Sequence, residues 1–149
     1  MKIDIKIDPA FTETTCVIHT PKMTPKLLNL IDQIETTDES KNDLLVGKKD
    51  DKFFVIDPEN VDIIRTEGGE IVLYTNKGEK YAITKPLHKI HEQLPDNFVR
   101  ISKSTIVNIN RVDNLSNSFS RTMHIVMKNG VTDYISRNYL GDFKKRLGL

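Results

Sequence analysis

The sequence predicts a mainly β protein with short helices, preceded by a small N-terminal β-β-α unit. Three observations carry this expectation. From Asp43 onward, apolar or alternating runs of four to six residues follow one another, with turn-forming clusters between them. The helical patterns in that region are brief. Before Asp43 the character differs: two alternating segments, one run at helical spacing, then a polar stretch. The 149 residues suffice for one ordinary domain with an appendage, and we divide them into residues 1–42 and 43–149.

Residues 2–7, "KIDIKI", alternate with period two and predict a strand, and residues 15–19, "TCVIH", predict a second, with Cys16 as a small core residue. In "PKMTPKLLNLIDQIETTD", Leu27, Leu28, Ile31 and Ile34 fall at helical spacing, and Thr24 with Pro25 forms a cap and first-turn pair. Residues 36–43, "TTDESKND", predict a linker. The segments "LLVG", "KFFVI", "DIIRT", "EIVLYT" and "KYAIT" predict strands separated by "KKDD", "DPEN", "EGG" and "NKGE", with a brief helical turn at Asp57-Pro58. Residues 84–94 predict a helix with Thr84 as its cap, a stripe of Leu87, Ile90 and Leu94, and Pro95 as its end.

The next stretch, "NFVRISKSTIVNINRV", alternates like a strand but carries Arg100, Lys103 and Arg111. Phe98, Ile101, Ile106, Val107, Ile109 and Val112 can face a core, whereas unpaired cations are costly to bury, so we expect the cations to be held out to water. Asn129-Gly130 within "TMHIVMKNGVTDYIS" signals a hairpin. "RNYLGDFKKRL" predicts a short basic helix with Ser136 as N-cap.

Composition narrows the functional classes. A hydrophobic content of 38% with 29% charged residues suits a modest core. No run approaches the roughly 18 apolar residues of a membrane span, and no signal peptide is visible. One cysteine excludes an internal disulfide, which points to a reducing cytoplasmic setting. The net charge of +1 conceals an asymmetry: residues 98–149 hold nine Lys/Arg against three acids, and the first 97 residues are net acidic. A basic C-terminal third suits a polyanion.

In this order, "FVRISKSTIVNINRV", "NG", a strand and "YISRNYLGDFKKRL" resemble the LytTR-type DNA-binding domain, a family of bacterial transcription regulators. "DPENVDIIRTEGGEIVLYTNKGEKYAITKPLHKIHEQL" is similar to the family's first half, so the resemblance covers about residues 45–149. It implies several small β-sheets stacked lengthwise. It also implies sequence-specific binding of double-stranded DNA and transcription regulation, with loop side chains reading successive major grooves. Neither an enzyme nor a cofactor or small-molecule substrate is expected.

The resemblance further implies three reading elements. The turn Glu67-Gly68-Gly69-Glu70 departs from the family, which often has basic or polar residues there. Glu70 could accept from a cytosine amino group or be a solvated hairpin residue. In "RISKS", Lys103 matches the position that reaches the groove, Ser102 and Ser104 could hold phosphates, and Arg100 would contact the DNA backbone or buttress the loop. Arg137 has the planar fork that fits guanine O6 and N7; the plain alternative is a surface ion pair with Asp133 or Asp142. Asn138 opens a helix whose free N–H groups attract phosphate, and Lys144 and Lys145 follow it.

Two other readings compete. His88 and His91, at i, i+3, could share a metal in a metalloenzyme, but no third ligand stands at characteristic spacing. An RNA-binding module would need exposed aromatics, for which Phe119 and Tyr139 are the candidates. Residues 1–42 are too short for a phosphoacceptor domain, so no aspartyl-phosphate switch is expected in this chain. The N-terminal unit is expected to support a homodimer, and stand-alone relatives are often paired with a regulatory membrane protein.

Overall fold

The computed structural model describes residues 1–38 and 44–149. The backbone separates into two compact units, Met1–Glu39 and Ser40–Leu149. In the first, α1 (Pro25–Asp38) forms as its spacing predicts. Thr24 Oγ1 accepts from the Leu27 N–H at 3.2 Å, and Pro25 opens the helix, where its missing N–H costs nothing. Leu27, Leu30, Ile31 and Ile34 are half-buried along one side.

The two strands expected at residues 2–7 and 15–19 do not form. Residues 1–23 carry no strand and are exposed throughout, Cys16 included. Alternation marks a chain as fit for a pleated edge, but a strand also needs a neighbour for its N–H and C=O groups. Of the expected linker, residues 36–38 belong to α1, and the remainder lies outside the described residues.

The second unit realises the β-rich pattern. Its strands are β1 (Leu45–Lys49), β2 (Lys52–Ile56), β3 (Val61–Glu67), β4 (Glu70–Thr75), β5 (Lys80–Ile83), β6 (Phe98–Ser102), β7 (Thr105–Asn108), β8 (Val112–Asn117), β9 (Met123–Met127) and β10 (Thr132–Ile135). Helix α2 (Leu87–Gln93) precedes β6, and α3 (Arg137–Arg146) closes the chain. Seven strands form an antiparallel sheet in the order β2-β1-β5-β4-β3-β7-β6, and three form a second in the order β10-β9-β8. The Asp57 carboxylate accepts from the Glu59 N–H, capping the short turn Pro58–Asn60 as expected.

Two apolar cores flank the large sheet. Ile64, Leu73, Ile83 and Ile106 pack with Leu87 and Ile90 of α2 and with Leu94 just after it. Ile63, Ile101 and Val107 face the other way, toward Ile125, Met127, Ile135 and Phe143 of the small sheet and α3. The central strands β3 and β7 therefore bury both faces, which explains their near-continuous apolar runs. At Gly47 on β1 an added Cβ would stand 2.7 Å from Tyr81 Cβ, so only glycine allows that close approach.

Helix α2 begins later than its pattern suggested. Pro86 occupies the N-cap position and Thr84 makes no cap, because the residue before a proline is kept extended and Lys85-Pro86 delays the first turn. Ser136 does hold the N-cap position of α3 with extended backbone (φ −71°, ψ 153°), but its side chain makes no capping bond.

A polar seam joins the two sheets. Asp62, fully buried, accepts from Arg111 Nε at 2.8 Å and from the Asn129 N–H at 3.0 Å. Asn129 Nδ2 donates to Thr75 O at 2.9 Å; within the large sheet, buried Asn108 donates to Val61 O at 3.1 Å. Arg111 is thus a paired cation rather than one held out to water.

Candidate nucleic-acid interface

Antiparallel pairing decides which turns meet. The β3–β4 turn is a two-residue link in which Gly68 (φ 55°) and Gly69 (φ 82°) both take left-handed backbone, as a type I′ hairpin requires. The β6–β7 turn holds Lys103 and Ser104. β3 pairs with β7 through Arg65 opposite Thr105, and the Thr66 N–H donates to Ser104 O at 2.9 Å. The two turns therefore leave the same end of the sheet, the end opposite the β4–β5 turn at Asn76–Gly78. The third element arrives from the small sheet: the Ser136 N–H donates to Ile101 O at 2.8 Å, so Arg137 enters α3 beside β6, the strand that leads into the Lys103 turn.

At these elements Lys103, Ser104, Arg137, Asn138 and Glu70 are exposed, and Ser102 is half-buried. The Ser104 N–H donates to Ser102 Oγ at 3.2 Å and the two hydroxyls lie 3.3 Å apart, which tightens the turn around Lys103. Half-buried Arg100 donates from one terminal nitrogen to Lys103 O at 3.1 Å, so it buttresses the turn from behind. Its Nε is buried without a partner among the described residues. Arg137 enters no ion pair among the described residues; Asp133, its nearest candidate in sequence, is taken by Arg65 at 3.2 Å. On α3, Lys145 is exposed, Lys144 is half-buried, and Arg146 donates to Asp96 O. Phe143 anchors the helix, fully buried in the second core.

Sequence reasoning missed the cluster beneath the turns. Arg65 donates to Thr132 O at 2.8 Å and to Asp133 Oδ2 at 3.2 Å, and it approaches Glu67 Oε1 at 3.5 Å. Tyr74 donates to Glu67 Oε2 at 2.6 Å, and Lys80 stands 3.8 Å from the same atom. Burial opposes the charge of Glu67, but the Tyr74 hydroxyl, Arg65 and Lys80 together hold its carboxyl below the ordinary carboxylate range. Burial likewise opposes the charge of Arg65, and Asp133, Glu67 and Tyr74 outweigh it, so the guanidinium is held above its ordinary value. Of the two acids in the β3–β4 turn, then, Glu67 is drawn into the protein and Glu70 faces water. Arg65 and Asp133 are 68 residues apart, and no local spacing signals such a pair.

The competing sites gain no geometry. His88 is exposed, and half-buried His91 sets Nε2 3.2 Å from Phe98 O. Among the described residues no three His, Cys, Asp or Glu side chains gather as metal ligands. Phe119 is 94% exposed, but Tyr139 packs against the second core, so the two do not form a stacking platform. Among the described residues, no helix is long and apolar enough to cross a membrane.

Residues 51–148 match the model of the LytTr DNA-binding domain family. An HTH-type transcriptional regulator of Staphylococcus aureus strain COL is 30% identical over 149 residues, covering 100% of this chain and 99% of its own. The corresponding regulator of strain NCTC 8325 shows the same identity and coverage. In fold, the chain is similar to the LytTr DNA-binding domain of a Bacillus cereus protein described as a methyl-accepting/DNA response regulator. That match has a TM-score of 0.67 and 22% identity, and spans 72% of this chain and 99% of the other. A helix-turn-helix is nevertheless absent among the described residues: strands separate α1 from α2 and α2 from α3.

Proposed function

Because this chain belongs to the LytTR family of DNA-binding domains, we propose that it regulates transcription by binding double-stranded DNA, with Lys103 and Arg137 reading base edges in the major groove. The observation that supports this most is the bond between Ser136 N–H and Ile101 O, which brings both cations to one end of the fold. Arg137 is exposed and its planar fork fits guanine. Ser102, Ser104 and the first-turn N–H groups of α3 at Asn138 hold phosphates, and Lys144 and Lys145 continue along the backbone. Arg100 acts by supporting the Lys103 carbonyl and is the residue of this set least suited to touch phosphate directly. Glu70, exposed and acidic, is a contact to a cytosine amino group or a solvated turn residue.

A homodimer suits this reading, since two copies would engage two half-sites about a helical turn or more apart. The half-buried stripe of α1 supports self-association through residues 1–42. Selecting bound duplexes from a random pool tests the function: short elements in a repeated arrangement are expected, and recovery of unenriched sequence would refute it. Deleting residues 1–42 and measuring mass in solution tests the dimer. A full-length chain that is monomeric, or a truncated chain that still dimerises, would remove the role of that unit.

A further inference from the structure

We propose that Arg65 is a positioning residue for base reading: its guanidinium, bridging β3 to β10, sets the spacing between the Lys103 turn and Arg137. This rests on the reading of Lys103 and Arg137 as base-contacting side chains.

The large sheet already fixes the β3–β4 and β6–β7 turns relative to each other, because β3 and β7 share a backbone ladder. β10 belongs to the other sheet, and no ladder ties it to β3. Near the reading end, the described polar links across that gap are few. The Ser136 N–H reaches Ile101 O, Arg65 reaches Thr132 O and Asp133 Oδ2, and Thr105 Oγ1 donates to the same Asp133 oxygen at 3.1 Å. Thr105 is buried and directly follows the Lys103-Ser104 turn. Asp133 stands four residues before Arg137 on the strand that leads into α3. One carboxylate oxygen thus receives a donor from β3 and another from β7, and it sits on the element that delivers the third reading side chain. One terminal nitrogen of Arg65 makes both bonds to β10 while the other faces Glu67 Oε1, so the planar guanidinium holds β10 and the β3–β4 turn in one orientation, which an ammonium does not fix. The side chain of Arg65 is 20% exposed; its terminal nitrogens carry these contacts, and its Nε is buried without a partner among the described residues.

The test uses the full chain, a duplex recovered by selection and a random duplex. Arg65→Met keeps the bulk and removes the fork. It is expected to weaken binding of the selected duplex about tenfold while changing binding of the random duplex by less than about twofold. Combined with Arg137→Ala, it should give a loss smaller than the sum of the two, because the second change removes a contact already misplaced. Thr105→Val deletes one hydrogen bond from the same carboxylate and keeps the measurement available if Arg65→Met fails to fold; it should show the same pattern at smaller size. Additive losses, or equal losses on both duplexes, would overturn the positioning role. If Lys103→Ala and Arg137→Ala alone left the preference for the selected duplex intact, the base-reading assignment itself would fall, and the positioning role with it.

Discussion

The N–H of Ser136 donates to the carbonyl of Ile101 at 2.8 Å, and the two cations proposed to read bases lie just beyond that bond. Lys103 follows Ile101 by two residues and Arg137 follows Ser136 by one. The link joins an edge strand of the seven-stranded sheet to the start of α3. Ile101, Ile135 and Phe143 are fully buried around it. Loops carried on packed strands can hold a side chain rigidly enough to distinguish one base from another.

Arg137 and Lys144 are expected to separate by role. Arg137→Ala should cost about 1–3 kcal/mol on the selected duplex and little on random DNA. Lys144→Ala should weaken both about equally and lower the slope of log affinity against log salt by about one unit. Titrations at several salt concentrations decide between these patterns, and matching losses from the two variants would show that the roles are misassigned.

Asp62 is the most consequential buried charge. It is fully buried, and two donors converge on it. Asp62→Ala would strand Arg111 and the Asn129 N–H, and should destabilise the fold by about 3 kcal/mol. Asp62→Asn keeps part of the hydrogen bonding and should cost less. Urea denaturation measures both.

Phe143 holds α3 to the second core. Phe143→Ala should cost about 3–5 kcal/mol, the usual loss for a fully buried aromatic side chain. Since α3 delivers Arg137, a variant that remains folded should also bind the selected duplex less tightly. Calorimetric unfolding followed by a binding titration checks both parts.

Acid should loosen the turn cluster. The Glu67 carboxyl is held below its ordinary range in the folded protein, so the unfolded chain takes up its proton first as pH falls. The stabilisation from Glu67 is therefore complete above the ordinary carboxylate range and is lost as pH falls through the lower folded value. Tyr74→Phe removes the 2.6 Å hydrogen bond and should flatten this dependence. Melting curves between about pH 3 and 6 follow it, and an unchanged slope in the variant would count against the assignment.

Much of the second unit was legible because its signals are local. The runs that became β1 to β7, the Asn129-Gly130 turn (Gly130 φ 90°) and the apolar stripe of α2 each depend on spacing within a few residues. What escaped notice depends on the rest of the chain. Asp62 in "VDII" looks like the polar member of an alternating strand, yet it is buried because Arg111, 49 residues away, comes to meet it. Arg65 in "DIIRT" looks like a strand-end cation, and its partners are on β10. The alternation of "KIDIKI" is clearer than any in β4, "EIVLYT", but only β4 has neighbours on both sides. The proposed reading elements rest on resemblance to a family; spacing alone would not have singled out Lys103 from the other exposed lysines.

The most direct test follows backbone amide signals by solution NMR while the selected duplex is added. The account predicts that the largest shifts fall on Lys103, Ser104 and residues 136–138, with little change at the Asn76–Gly78 turn at the other end of the sheet. Shifts centred on that opposite turn, with Lys103 and Arg137 silent, would contradict it.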